Sequence, residues 1–101
     1  MNAKEEFLRH TADKSVKCAI ITHENWEGDS KHHSSLRVNY TKEEYDTFLT
    51  SLDYNYDAGY GTQEVYGTIW YNDGTFSNRW EYDGSEGWDF ISTPVIPEEL
   101  N

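Results

Sequence analysis

The stretch EVYGTIWYNDGTFSNRWEY, residues 64–82, decides the fold of this chain. Two runs rich in β-branched and aromatic residues flank the sequence Asn72-Asp73-Gly74. An Asp-Gly pair between two such runs is the strongest short-range signal of a β-hairpin. We therefore predict two antiparallel strands here.

The sequence leaves the register of this hairpin open between two alternatives. A two-residue turn formed by Asp73 and Gly74 sets the odd-numbered residues of the first strand, among them Ile69, on the face of Trp80. A three-residue turn with Gly74 in a left-handed bulge shifts the pairing by one residue and sets Trp70 there instead. With either register, some aromatic residues lie on the second face of the sheet.

A helix precedes the hairpin. Thr41 and Glu44 form the T-x-x-E pattern of a capping box, and Tyr40 can contact Tyr45 as a hydrophobic staple. Apolar residues then recur at i, i+3, i+4 and i+7, which predicts one apolar stripe facing the sheet. These residues are Tyr45, Phe48, Leu49 and Leu52.

The remaining elements follow from local patterns. Asn2 and Glu5 have the spacing of a capping box. Four further elements complete the predicted fold. A short helix and two strands precede the helix that begins after Thr41, and a last strand follows the hairpin. Their expected ranges are 3–12 for the helix, 16–23 and 34–40 for the strands, and a strand containing Trp88 and Phe90.

We predict one domain, residues 1–101, with residues 93–101 as a tail. The order α-β-β-α-β-β(-β) predicts an α+β fold, an antiparallel four- to five-stranded sheet with two helices on one side. Aromatic residues make up 16% of the chain, more than a disordered acidic segment carries.

Composition narrows the cellular setting. No run of about 18 apolar residues is present, so we expect no membrane association, and the first residues do not have the pattern of a secretory signal. Cys18 is the only cysteine, which excludes an internal disulfide and favours a reducing, cytoplasmic compartment.

The net charge of −11 is distributed unevenly along the chain. Residues 1–42 carry six acidic and seven basic residues, whereas residues 43–101 carry thirteen acidic residues and one basic residue, Arg79. A field of this sign repels nucleic acids and attracts cationic partners. We therefore expect a basic protein as the partner and no direct binding of nucleic acid or membrane.

The loop DYNYDAGYGTQE, residues 53–64, resembles a calcium-binding loop. Oxygen-bearing side chains occupy the first, third, fifth and twelfth positions of the EF-hand pattern. They are Asp53, Asn55, Asp57 and Glu64. Ala58 stands where the pattern requires glycine, and a strand follows instead of a helix, so turns formed by Asp53 and Asn55 are the alternative interpretation. Apart from Ca²⁺, we expect no cofactor.

No combination of residues indicates catalysis. Cys18 lies among apolar residues, which favours a packing role, and we find no set of nucleophile, base and orienting group. Adjacent histidines do not have the spacing of a zinc site. We predict that the chain is not an enzyme.

The candidate partner-binding residues are the acidic side chains of the helix, loop and hairpin with one aromatic anchor. They are Glu43, Asp46, Asp53, Asp57, Glu64, Trp70, Asp73, Glu81, Asp83 and Glu86. An anionic array of this kind is attractive to a groove lined with lysine and arginine, and aromatic anchors add specificity.

The segments LDYNYDAGYG (52–61) and GTIWYNDGTFSNRWEYDGSEGW (67–88) resemble small uncharacterised acidic proteins of tailed phages. The resemblance covers Tyr45 to Glu98 and supplies no functional residues. It implies expression in the cytoplasm of a bacterial host, where small acidic phage proteins include anti-restriction and anti-CRISPR inhibitors.

From these observations we expect an inhibitor that binds a basic, nucleic-acid-interacting host protein and mimics DNA. A calcium-binding module using residues 53–64 is one alternative. An immunity protein or other protein-interaction domain is another.

Overall fold

A computed structural model describes residues 1–24, 31–56, 63–82 and 85–91. These residues contain two helices and five strands. In chain order they are α1 (Ala3–His10), β1 (Val16–Glu24), β2 (Lys31–Leu36), α2 (Lys42–Ser51), β3 (Val65–Tyr71), β4 (Phe76–Tyr82) and β5 (Ser85–Ile91). The predicted α+β class and element order are confirmed. Neither of the described helices has the length and apolarity needed to cross a membrane.

The strands form one sheet in the order β2-β1-β3-β4-β5, and every neighbouring pair is antiparallel. Both helices pack on the same face, where the rings of Phe7 in α1 and Phe48 in α2 meet edge to face at 5.4 Å. Alternate strand residues such as Ile21 and Ile69 are buried beneath them. We call this the helical face and the opposite one the outer face.

The prediction of the second strand was wrong in its position. A strand was expected over residues 34–40, but β2 ends at Leu36 and the chain turns at Val38 and Asn39. Asn39 has a φ of 60°, a left-handed conformation that asparagine tolerates well. The alternation of Leu36, Val38 and Tyr40 therefore reflects a strand end followed by a turn, and Val38 is exposed.

The prediction for α2 is confirmed. Thr41 accepts a hydrogen bond from the Glu44 backbone N–H, and the Glu44 side chain accepts one from the Thr41 N–H, which completes the capping box. The rings of Tyr40 and Tyr45 stack at 5.5 Å, as a staple requires. The apolar stripe is buried at Phe48 and Leu52.

The hairpin adopts the three-residue turn. Trp70 pairs with Phe76, and Gly74 has a φ of 88°, the left-handed bulge of the second alternative. Asp73 stabilises the turn because its Oδ1 accepts a hydrogen bond from the Thr75 N–H at 2.9 Å. This register places Trp70 and Trp80 on the outer face.

Two glycines permit close approaches in the sheet. A Cβ atom on Gly67 would lie 2.2 Å from the Ile20 carbonyl oxygen, so the close pairing of β1 and β3 requires glycine there. Gly87 pairs with Trp80, and a Cβ there would lie 2.9 Å from the indole ring. The Trp80 ring therefore covers the backbone of β5 at Gly87.

Candidate functional site

The outer face of the sheet carries a row of exposed apolar side chains. Strand alternation directs them away from the helices, and each is between 38% and 79% exposed. They are Ile20, Tyr66, Trp70, Trp80 and Tyr82, which we call the aromatic face. None of the described helices packs on it. An apolar patch of this kind on a small domain usually marks a contact site.

Cross-strand pairing holds the aromatic face together. Trp70 of β3 lies between Cys18 on β1 and Phe76 on β4, its partners in the ladder. Cys18, expected to fill core space, is instead half-buried at this surface. Tyr66 is oriented by a hydrogen bond from its hydroxyl to the Gln63 carbonyl oxygen at 3.0 Å.

The predicted acidic residues do not surround these aromatic side chains. Glu43 and Asp46 are exposed on α2, and Asp53 follows that helix, so all three belong to the side of the sheet opposite Trp70. Glu81 is exposed on β4. The predicted residues Asp57 and Asp83 lie outside the described residues.

Asp73 lies in the hairpin turn and is paired. Its Oδ2 accepts a hydrogen bond from Lys14 Nζ at 2.9 Å, and Thr75 donates two more to Oδ1. The hydrogen bonds from Thr75 and the Lys14 ammonium hold the pKa of the Asp73 carboxyl well below its usual range. Asp73 therefore connects the turn to the loop after α1.

Glu86 cannot contact a partner in this conformation, which corrects its predicted role. Its side chain is 0% exposed and lies against Arg79, whose side chain is 1% exposed. Arg79 Nη2 donates to Glu86 Oε1 at 2.9 Å, and the Glu64 and Val65 backbone N–H groups donate to the same carboxylate. All of these bonds join β3, β4 and β5 from within.

The Arg79 guanidinium is the centre of a larger polar cluster. Nη1 donates to Glu6 Oε1 at 2.9 Å, and Nη2 donates to the Tyr56 hydroxyl oxygen at 2.5 Å. Tyr56 in turn donates to Glu6. Burial, reinforced by the hydrogen bond to Glu6, raises the pKa of Tyr56. This cluster was not predicted, although Arg79 stands out as the one base in residues 43–101.

Glu64 is also largely buried and lies directly before β3. Its Oε1 lies 3.3 Å from Nε2 of His23 on β1. The His23 ring stacks on Tyr54 at 4.2 Å between centroids. Glu64 therefore supports the sheet beneath the helical face, and a partner on the surface would reach little of it.

The described part of the predicted calcium loop has structural contacts. Asn2 Nδ2 donates to Asp53 Oδ1 at 3.0 Å and to Asn55 Oδ1 at 3.3 Å, while its own Oδ1 caps α1. Asn2 and Asn55 also form a backbone bridge. Among residues 1–24, 31–56, 63–82 and 85–91, no three carboxylate, histidine or cysteine side chains converge as metal ligands.

A serine and a histidine do meet in the structure. His10 Nε2 lies 2.9 Å from the Ser77 hydroxyl oxygen, which also contacts the Tyr71 hydroxyl at 2.7 Å. Ser77 is 0% exposed, so no substrate can reach its hydroxyl in this conformation. The His10 ring stacks on Phe90 at 3.9 Å, which indicates a packing role that joins α1 to β5.

Comparisons with protein-family models, with curated proteins and with solved structures found no match for the chain.

Proposed function

We propose that this chain is an interaction protein that binds a basic, nucleic-acid-binding host protein and inhibits it by occupying its surface. The aromatic face is the single observation that carries the proposal. It presents large, rigid side chains of the kind that dominate binding energy at protein interfaces. Their fixed positions in a sheet keep the entropic cost of binding low.

Aromatic rings also match the chemistry of a basic partner. Lysine and arginine side chains are attracted to the faces of tryptophan and tyrosine rings, and a groove that binds nucleic acid is rich in both of these residues. The chain already contains one such arrangement, because the Arg79 guanidinium lies 5.2 Å from the Tyr56 ring centroid and 5.1 Å from that of Trp88. A partner's arginine would meet the exposed Trp70 in the same way.

The acidic residues have a separate role in this proposal. Exposed carboxylates such as Glu43 and Asp46 lie on the helical side, so we assign them to long-range attraction rather than to the contact itself. A net charge of −11 steers a cationic protein toward the chain and accelerates association. In this proposal, the chain mimics DNA through its overall negative electrostatic field and not through a row of carboxylates beside the aromatic rings.

The proposal is tested by affinity capture from a bacterial lysate on the immobilised chain, followed by direct binding to each purified captured protein. We expect to capture a basic nucleic-acid-binding protein, and we expect duplex DNA to displace that protein from the immobilised chain. Affinity should fall when NaCl is raised from about 0.1 M to about 1 M, because the Debye length shrinks from about 10 Å to about 3 Å.

The matched variants are Trp70→Ala and Leu8→Ala, because both side chains are 38% exposed but Leu8 is on α1. Trp70→Ala should weaken binding at least about tenfold, as truncation of an aromatic hot spot does. Leu8→Ala should leave affinity unchanged. Capture of a neutral or acidic protein, or equal affinities of the two variants, would contradict the proposal.

A further inference from the structure

Strand β5 ends the described sheet and has β4 as its neighbour on one side. All seven of its residues, Ser85–Ile91, pair with β4 without a register shift. Among the described residues, no strand pairs with its second edge. Such an edge offers backbone N–H and C=O groups to another extended chain.

Of the features that protect an edge strand, β5 has two acidic residues, Glu86 and Asp89, but no lysine, proline or bulge. Proteins discourage edge pairing with lysine, proline, bulges or short strands. SEGWDFI contains neither lysine nor proline, and its pairing is regular. By contrast β2, at the other end of the described sheet, begins with Lys31 and is polar along most of its length.

A cavity of about 710 Å³ lies between α1 and this strand. Trp88 and Phe90 line it from the helical side of β5, whereas Trp80 and Gly87 belong to the outer face. Because residues from both faces of the sheet line one cavity, the cavity extends around the β5 edge. It thus joins the edge to the aromatic face, to which Trp80 also belongs.

We propose that the β5 edge and this cavity receive an extended segment of the partner, which pairs with β5 as a sixth strand of the sheet. This inference rests on the proposed function, since it names how the same partner binds. In strand addition, backbone hydrogen bonds supply affinity and alternate side chains enter pockets on the two faces. Exposed Phe90 selects apolar residues at alternate positions of that segment, those that face the helical side, and the positions between them face the side of Trp80.

The charges around the edge favour a basic segment. Asp13 and Asp89 are exposed beside it, Lys14 is already paired with Asp73, and Arg9 is the one other lysine or arginine of the described cavity wall. A second copy of this chain is a poorer occupant. Its β5 carries Glu86 and Asp89 but no base, and both copies have a net charge of −11.

The test uses the intact chain and a nine-residue peptide in which lysine alternates with valine. Hydrogen exchange should become slower at β5 backbone amides when the peptide binds, and less so at those of β2. Replacing the lysines by glutamate should weaken binding at least about tenfold, because like charges repel. Two further peptides carry backbone N-methyl groups on alternate residues, one blocking each edge of the strand.

One N-methylated peptide should lose binding at least about tenfold and the other should bind within about twofold of the parent. Equal affinities of the two N-methylated peptides, or protection confined to amides outside β5, would overturn strand addition. Concentration-dependent dimers with β5 protected in the absence of peptide would overturn it in favour of a second copy. None of these three results would affect the Trp70 test, so failure of this inference and failure of the proposed function are distinguishable.

Discussion

The carboxylate of Glu86 on β5 accepts two hydrogen bonds from the guanidinium of Arg79 on β4, at 2.9 and 3.2 Å, and neither side chain is more than 1% exposed. The same guanidinium reaches Glu6 on α1, 73 residues away in sequence. One arginine thus connects the first helix to the last strand. The other four bonds of this cluster satisfy the remaining polar groups, as a buried charge requires.

Arg79→Met should lower the free energy of unfolding by about 3–5 kcal/mol, because it leaves the buried Glu86 carboxylate and the partly buried Glu6 carboxylate without their counter-charge. Urea unfolding followed by tryptophan fluorescence measures this change. Arg37→Met removes the exposed ion pair with Glu44 and serves as the control, with a far smaller expected effect. If the two variants were equally stable, the contacts of Arg79 with Glu6 and Glu86 would not stabilise the fold.

Gly67→Ala should destabilise the fold by about 2–5 kcal/mol, because the new Cβ would lie 2.2 Å from the Ile20 carbonyl oxygen at a φ of +150°. Gly74→Ala tests the backbone effect alone, since nothing lies within 4 Å of its Cβ position and φ is +88°. We expect the second change to cost about 1–2 kcal/mol. Thermal unfolding compares them, and a larger loss in Gly74→Ala would contradict the close pairing of β1 and β3.

Stability should depend on pH through His10. Burial lowers the pKa of His10 below 6.5, while Glu6 and Asp89 oppose this shift and Arg79 adds to it. The unfolded chain therefore binds a proton more readily than the folded chain. The stabilisation is complete above pH 6.5 and is lost as the pH falls from there through the folded pKa.

The contribution of Glu44 begins to be lost at a lower pH than that of His10. The hydrogen bond from Arg37 holds the pKa of Glu44 at about 2, so the contribution of Glu44 to stability is present above pH 4.5 and is lost as the pH falls toward 2.

Urea unfolding at several pH values measures the effect of His10. The free energy of unfolding should decline below pH 6.5, and this decline should be absent in His10→Gln. A variant with the same pH slope as the parent would assign the decline to other groups.

Calcium at about 1 mM, enough for the weaker extracellular type of site, should leave the unfolding temperature unchanged. Asp53 and Asn55 already accept hydrogen bonds from Asn2 at the start of α1, so a metal would compete with a helix cap. Asp53→Ala should lower stability equally with and without Ca²⁺. A rise in unfolding temperature that Asp53→Ala abolishes would establish the calcium hypothesis.

Features encoded by neighbouring residues were predictable from the sequence. The capping box of α2 depends on residues three apart, and its apolar stripe repeats every three or four residues. The hairpin at Asp73-Gly74 was recognisable, but its register was not, because both turns satisfy the same alternation. Only the pairing of Trp70 with Phe76 in the folded sheet distinguishes them.

Whether an acidic residue of the described segments is exposed or buried was decided by the tertiary structure. In sequence, Glu43 and Glu86 are two carboxylates of one acidic half. In the fold, Glu43 is exposed on a helix while Glu86 is buried against Arg79, because the sheet order brings β5 under α1. Charge composition is a sum over residues and fixes the long-range field, whereas burial depends on which distant segments meet.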